Sequence, residues 1–322
     1  MIEFLNKFNY QYSFDLHFST EATTQFENFV FVLGINDGST ITRDVVKINL
    51  HRPNEISTHG QISPTIKSEA VAAVYRNTMY VSGLGSNGNE IWKYNVDSGW
   101  VRCASLLVHG RLGHCAAFIN DVLYICGGLL RTYVSKPAQF SVEAFNAVTD
   151  KCNTVGGLVH LVYDSGNCVP FKSSLYIFGG KDRYHKDVSH IQMYNTKQNT
   201  CTLLTKPMPI PSAFTQAVLW ETSAILVGEN NCFIFDFETE TLQEREQFKV
   251  GIRDFGLVLH DGRAFVIGGI NKDADKKWKL RDFVCSVPIQ NILKDEAIEW
   301  KIHGNLPKPS LVQAYGEMRM TV

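Results

Sequence analysis

An all-β fold, a closed ring of six four-stranded blades known as a β-propeller, is predicted by three features of the sequence. A run of β-branched or aromatic residues that ends in glycine recurs six times in the 322 residues, at intervals of 40 to 52, which is about the length of one blade. A second apolar stretch precedes several of these runs, and an aromatic stretch follows them. Helical periodicity is almost absent. The runs end at Gly34, Gly83, Gly127, Gly179, Gly228 and Gly268.

The order of strands within one blade follows from this repeat. The glycine-ended run is the second strand, and Asn120-Asp121 and Asp261-Gly262 predict tight hairpin turns between the first and second strands. The aromatic stretch is the third strand, and a segment with a residue such as Trp100 is the fourth. Because residues 306–322 resemble the start of a seventh repeat, we expect them to supply the first strand of blade 1 and so to close the ring.

Composition and charge argue against several classes of function. Hydrophobic residues make up 44% of the chain and charged residues 20%, which is typical of a globular protein. The net charge of -1 argues against nucleic-acid binding, and no apolar run is long enough to span a membrane. Eight cysteines are spaced singly, and no N-glycosylation sequon is present. These features favour free thiols and a cytoplasmic location.

These motifs resemble the kelch repeat, whose unit has a strand ending in Gly-Gly, then a Tyr-Asn strand, then a tryptophan. The matching positions are Gly127-Gly128, Gly179-Gly180, Gly268-Gly269, Tyr94-Asn95 with Trp100, and Tyr194-Asn195. The arginine that precedes the glycine pair by about 16 positions is matched by Arg111 only. The second glycine is missing after Gly34, Gly83 and Gly228. The resemblance implies a leader at residues 1–26 and a six-bladed kelch propeller at residues 27–322.

The resemblance also implies a function. Intracellular six-bladed kelch propellers resemble the C-terminal substrate-recognition domains of BTB–kelch proteins, which are adaptors of cullin-RING ubiquitin ligases. Such a domain is expected to be monomeric and to bind a short segment of a target protein. Contact with the cullin would need BTB and BACK domains, which are outside this chain. The alternative is a cytoskeletal, actin-binding or scaffold kelch protein.

Three motifs could suggest a nucleotide site, a metal site or an oxidase, but none of them matches the pattern that such a site requires. Residues 83–88 satisfy the dinucleotide pattern GxGxxG, but the next residues predict a strand, and the pattern must open a helix to bind a pyrophosphate. The pairs His109/His114 and His185/His190 lack the spacing of zinc ligands. Some kelch propellers are copper radical oxidases, but no tyrosine and histidines here have recognisable ligand spacing. We therefore expect no enzyme activity, no cofactor and no metal.

The candidate partner-binding residues lie in the connections after the second and fourth strands, which share one face of a propeller. Loops on a rigid scaffold commonly carry recognition, and arginine, tyrosine and asparagine suit a peptide with one or two acidic residues and an apolar anchor. The candidates after second strands are Arg131, Tyr133, Lys181, Arg183, Tyr184 and Asn271. The candidates in the connections after fourth strands are Lys67, Arg111, Tyr163, Ser212, Arg253 and Ser310.

Overall fold

The computed structural model describes most of the chain from Phe26 onward. The described residues are 26–34, 40–62, 70–105, 110–130, 140–165, 168–213, 215–246, 251–273, 275–312 and 314–321. The predicted leader therefore lies outside the described residues, apart from Phe26 itself.

The strands of the first three blades follow the predicted order. Blade 1 begins with β1 (Phe26–Leu33), β2 (Asp44–Asn49) and β3 (Ile56–Gln61). Blade 2 contains β4 (Val71–Tyr75), β5 (Thr78–Leu84), β6 (Glu90–Asn95) and β7 (Gly99–Ser105). Blade 3 contains β8 (Arg111–Leu112), β9 (Cys115–Ile119), β10 (Val122–Cys126), β11 (Leu129–Leu130), β12 (Ser141–Asn146) and β13 (Lys151–Gly157), of which β8 and β11 form a separate ribbon.

The last three blades repeat the same plan. Blade 4 contains β14 (Val169–Phe171), β15 (Ser174–Phe178), β16 (Ile191–Asn195) and β17 (Thr200–Leu203). Blade 5 contains β18 (Gln216–Trp220), β19 (Ser223–Val227), β20 (Cys232–Asp236) and β21 (Thr241–Glu244). Blade 6 contains β22 (Gly256–His260), β23 (Arg263–Ile267), β24 (Ile270–Lys272), β25 (Trp278–Leu280), β26 (Phe283–Pro288), helix α1 (Ile289–Lys294) and β27 (Lys301–Asn305). The final strand is β28 (Ala314–Thr321).

The ring closes through the last strand, as predicted. Strand β28 pairs antiparallel with β1 along its whole length, from Ala314 opposite Leu33 to Thr321 opposite Phe26, so blade 1 has the order β28-β1-β2-β3. The innermost strands contact one another in the cycle β28, β4, β9, β14, β18, β22 and back to β28. The predicted six-bladed fold with a shared closing blade is confirmed.

The core lies between the blades. Six clusters of buried apolar residues each combine side chains of two neighbouring blades, one cluster for each junction in the ring. Successive side chains of a strand point to opposite faces of its sheet, so Phe31 of β1 packs toward blade 2 while Val30 packs toward blade 6. Every blade therefore buries both faces. This explains why the glycine-ended runs do not show the alternation of apolar and polar residues that is typical of a half-exposed strand.

Blade 6 departs from the simple repeat. Its second and third strands are separated by a ribbon in which β24 pairs with β25, and helix α1 stands between the third and fourth strands. The helix buries Ile289 and Ile292 in the cluster between blades 5 and 6. Neither element was expected, because a pattern of three to six residues is too short to show a period.

The glycines that end the runs permit close approach of the chain from the next blade. Gly127 has φ of +67°, and a Cβ added to it would lie 2.4 Å from the carbonyl oxygen of Val162. Gly262, in a hairpin turn, also has φ of +67°, but a Cβ there would meet nothing within 4 Å. The two positions therefore separate the effect of backbone conformation from that of crowding.

We predict that Gly127→Ala destabilises the protein by several kcal/mol, whereas Gly262→Ala costs only about 1–2 kcal/mol, the price of a left-handed alanine. The extra loss at Gly127 arises because the backbone of blade 4 must move away from the new methyl group. Urea unfolding of both variants measures the difference. Equal losses in the two variants would show that the close approach of Val162 contributes nothing.

Candidate functional site

The two ends of the ring differ in the length of their connections. The first and second strands of blades 2 to 6 are joined by two-residue turns, such as Arg76-Asn77, on the end that we call the turn face. The connections after the second and fourth strands form the other end, which we call the loop face. Its described residues include 85–89, 110–114, 158–165, 179–190, 204–213, 228–231, 251–255, 268–273 and 275–282. The predicted partner-binding residues that the structure describes belong to the connections of the loop face.

Among the predicted residues that the structure describes, those of blade 4 include the most exposed side chain. The Asp182 carboxylate accepts hydrogen bonds from the backbone N–H groups of Tyr184 at 2.8 Å and Lys186 at 3.0 Å, which fixes the tip of the loop. Tyr184 is 70% exposed at this tip, and the guanidinium of Arg183 lies 5.8 Å from its ring centroid. Lys181 lies further in, with Nζ 3.7 Å from Asp164. An exposed tyrosine beside a cation on a fixed loop can contact a partner without large loss of conformational entropy.

The expectation that Arg111 contacts a partner is wrong. Its side chain is fully buried, where it forms an ion pair with Glu143 and donates hydrogen bonds to the carbonyl oxygens of Gly127 at 3.0 Å and Ser141 at 3.1 Å. A guanidinium without exposed surface cannot contact a partner. It instead ties the second and third strands of blade 3 to β8 at the start of that blade. Loss of one member of such a buried pair is strongly destabilising, so Arg111 has a structural role.

Two other predicted contact residues are also buried. Ser310 has no exposed surface, and its hydroxyl donates to the carbonyl oxygen of Leu311 at 2.8 Å. Tyr163 is 4% exposed, its phenol is hydrogen-bonded to Nδ1 of His185, and its backbone pairs with that of Lys181. These side chains lie beneath the surface of the loop face, where they hold its connections in place. Arg131, Tyr133 and Lys67 lie outside the described residues.

The remaining predicted residues are partly buried. The Ser212 hydroxyl is 2.7 Å from that of Thr215, and the Asn271 side-chain oxygen accepts a hydrogen bond from Nε of Arg281 at 2.6 Å. Arg253 is 35% exposed, and its guanidinium lies 3.7 Å from the ring centroid of Trp278. Trp278 is missing from the predicted set, although it is 41% exposed on the same face. In the sequence, Trp278 stands among lysines and outside any apolar run, which is the pattern that could have indicated an exposed tryptophan.

A carboxylate with a shifted pKa lies between the connections of several blades. Burial raises the pKa of Asp254 to about 6, Arg253 and Lys181 oppose the rise, and Asp164 and Glu229 add to it. Blades 3, 4 and 5 contribute these neighbours through their connections. The Asp254 carboxylate therefore lies where the connections of several blades approach one another. Asp254 is therefore partly protonated at mildly acidic pH.

The turn face carries a separate cleft. It has a volume of about 710 Å³ and lies where the first and last strands of the chain meet, between Phe26, Val74, Arg76, Val96 and Arg319. Its walls come from blades 1 and 2 only. In contrast, the loop face brings together connections from all parts of the ring.

Among the residues that the structure describes, no helix is long and apolar enough to cross a bilayer, and no group of three or more histidine, cysteine or acidic side chains could hold a metal ion. All eight cysteines have free thiols, and all but Cys201 are buried. The loop after β5, at residues 85–89, leads into strand β6 and not into a helix, in agreement with the rejection of the dinucleotide motif.

Comparison with known proteins matches this architecture. Residues 110–158, which include all of blade 3, match the family model described as the Kelch motif. Kelch-like protein 25 of Xenopus tropicalis is 26% identical over 247 residues, which cover 72% of this chain and 41% of that protein. Kelch-like protein 23 of Homo sapiens is 24% identical over 261 residues, or 78% of this chain and 44% of that protein. The chain thus spans about two-fifths of the length of these relatives.

Two further proteins extend the comparison. Alpha-scruin of Limulus polyphemus is 23% identical over 212 residues, which cover 61% of this chain and 22% of that protein. The solved structure of YjhT superposes with a TM-score of 0.64 at 14% identity, and the match covers 78% of this chain and 87% of that one. The structural match shows the fold alone. The resemblance to kelch-repeat propellers predicted from the sequence is confirmed.

We predict that Asp254→Asn stabilises the protein at pH 7.5 by about 1–3 kcal/mol and has little effect below pH 4. The folded pKa of about 6 is above the ordinary value of 3.8, so the folded state holds more protons than the unfolded state between these pH values. The free energy of unfolding of the wild type therefore falls as pH rises through this window, and the asparagine removes the fall.

The measurement is urea unfolding at several pH values, with Asp236→Asn as the control of opposite sign. Asp236 is partly exposed, and hydrogen bonds from Thr239 lower its pKa, so its loss should destabilise the protein at pH 7.5. A wild-type-like pH dependence in Asp254→Asn would contradict the prediction.

Proposed function

We propose that this kelch-repeat propeller is a protein-recognition module that binds a segment of another protein on its loop face. The observation that carries the proposal is the pairing of an exposed aromatic with a cation on fixed loops, Tyr184 with Arg183 and Trp278 with Arg253. Aromatic and arginine side chains dominate the energy of many protein interfaces. The module itself carries out no catalysis, and its partner segment has one or two acidic residues and an apolar anchor.

The rigidity of the ring supports this function. The strands beneath the loops are buried on both faces, and the closing strand leaves no open inner edge, so the loops keep their spacing when a partner binds. A preformed surface loses little conformational entropy on binding. The turn face is less suited to this task, because its two-residue turns offer little room for side chains that differ between blades.

Within this function, we propose the role of a substrate-recognition domain. The similarity to Kelch-like proteins 23 and 25 and the resemblance to BTB–kelch adaptors support it. On this proposal the propeller binds the target in the cytoplasm as a monomer, and other domains contact a cullin-RING ubiquitin ligase. Eight free thiols agree with a reducing compartment.

A cytoskeletal or scaffold role is the second candidate. The similarity to alpha-scruin favours it, because that protein also matches most of the propeller. On this alternative the loop face binds a repeated surface, such as an actin filament, and not a short segment of a single target.

The test is quantitative capture of proteins from a cell extract by wild-type protein and two matched double variants. The loop-face variant is Arg183→Glu with Tyr184→Ala, and the turn-face control is Arg76→Glu with Val148→Ser, which also changes one exposed cation and one exposed apolar residue. We expect a discrete set of proteins to be lost at least about tenfold with the loop-face variant and retained with the control.

Two outcomes would contradict the proposal. Equal recovery by the loop-face variant, or loss with the turn-face control alone, would show that binding does not use the loop face. Co-sedimentation with actin filaments, with no discrete target captured, would favour the cytoskeletal alternative.

A further inference from the structure

Trp278 differs from the other four tryptophans of the chain in its surroundings. Trp92 and Trp100 pack against the cluster between blades 1 and 2, and Trp220 and Trp300 pack against the cluster between blades 5 and 6. Trp278 is 41% exposed and belongs to none of the buried clusters of the described residues. Unlike the other tryptophans, Trp278 therefore does not contribute to the buried apolar junctions between blades.

The ribbon that carries Trp278 is firmly attached to the ring. Strand β24 pairs with β25 from Ile270 opposite Leu280 to Lys272 opposite Trp278. The backbone of Ile270 also exchanges two hydrogen bonds with that of Arg253, at 2.9 and 3.0 Å. At the tip, the Asp273 carboxylate accepts hydrogen bonds from the backbone N–H groups of two residues further along the turn. The position of Trp278 is therefore set by the fold.

Two cations lie against the indole. The guanidinium carbon of Arg253 is 3.7 Å from the ring centroid of Trp278, and Nζ of Lys272 is 4.9 Å from it. A guanidinium stacked on a ring keeps its N–H groups at the edge of the stack, where they match the two oxygens of a carboxylate. Arg253 also forms an ion pair with Asp254, in which Nε lies 3.9 Å from the carboxylate.

The local charge favours an anionic ligand. The ribbon and the residue after it carry five basic side chains, Lys272, Lys276, Lys277, Lys279 and Arg281, against the acidic Asp273 and Asp275. The Asp273 carboxylate is already occupied by backbone N–H groups. The excess of positive charge lies beside exposed indole surface, and the two together suit an acidic residue with an apolar neighbour.

We propose that Arg253, Lys272 and Trp278 form a subsite that binds the carboxylate of an aspartate or glutamate in the partner segment. This inference rests on the proposed function and names the chemistry of its ligand. The guanidinium edge receives the carboxylate, and the exposed part of the indole receives the apolar neighbour. A carboxylate is favoured over a phosphate because the carboxylate of Asp254 lies 3.9 Å from Arg253, so a doubly charged group meets more repulsion.

The experiment uses the immobilised full chain and four pools of blocked nonapeptides with random flanks, which differ only in the central residue: aspartate, asparagine, serine or phosphoserine. We expect the wild type to retain the aspartate pool about fivefold or more over the asparagine pool, as one charge-assisted contact would give. Peptides in the retained fraction should be enriched in apolar residues beside the aspartate.

Three variants assign the effect to the subsite. Arg253→Gln and Trp278→Ala should reduce retention of the aspartate pool to the level of the asparagine pool. Arg253→Lys keeps the charge but loses the planar fork, so it should retain only part of the preference. The matched control is Lys301→Gln, which removes an exposed cation from the outer strand of the same blade and should leave the preference unchanged. An unchanged thermal midpoint in each variant shows that the ring is intact.

Each contrary result is decisive. Equal or no retention of the aspartate and asparagine pools by the wild type, or a preference that survives both Arg253→Gln and Trp278→Ala, would overturn the subsite. Stronger retention of the phosphoserine pool would overturn its assignment to a carboxylate. If cellular partners are lost with the blade 4 variant but bind Trp278→Ala normally, the proposed function stands and the subsite alone fails.

Discussion

The pairing of the last strand with the first is the constraint on which the rest of the structure depends. Strand β28 covers the inner edge of β1, and with it the six innermost strands complete a cycle. Without this pairing, blade 1 would expose an open edge toward the centre, and the junctions of blade 1 with blades 2 and 6 would lose side chains such as Ala314, Met318 and Tyr315. Closure thus couples all six apolar clusters into one unit.

The rigidity that follows from closure sets the character of the loop face. Buried polar groups such as the ion pair of Arg111 with Glu143 fix the loops from below, and aromatic and cationic side chains remain above them. The ring therefore separates two tasks: some polar residues of the connections hold the blades together, and others are available to a partner. Tyr184 and Trp278 belong to the second group, because the fold positions them but does not bury them.

The sequence was most informative where the physical pattern is local. Each glycine-ended run is apolar on both sides because both faces of a blade are buried, and the runs recur at one blade length, so strand order and ring closure could be predicted. Arg111 could not be assigned from sequence, since its partner Glu143 is 32 positions away in another strand and only the fold joins them. Trp278 was missed because its ribbon is too short to show a period. Burial, and not residue type, divides the candidate residues into support and surface.

The central claim, that one closed ring supports the loop face, is tested most directly by native-state hydrogen exchange. We expect the hydrogen-bonded amides of β28 to exchange only through global unfolding, with the same free energy of opening as those of β19 in blade 5, which lies two blades away around the ring. Exchange of the β28 amides by a separate local opening, at a much lower free energy than β19, would show that the last strand is an appendage and that the ring does not depend on it.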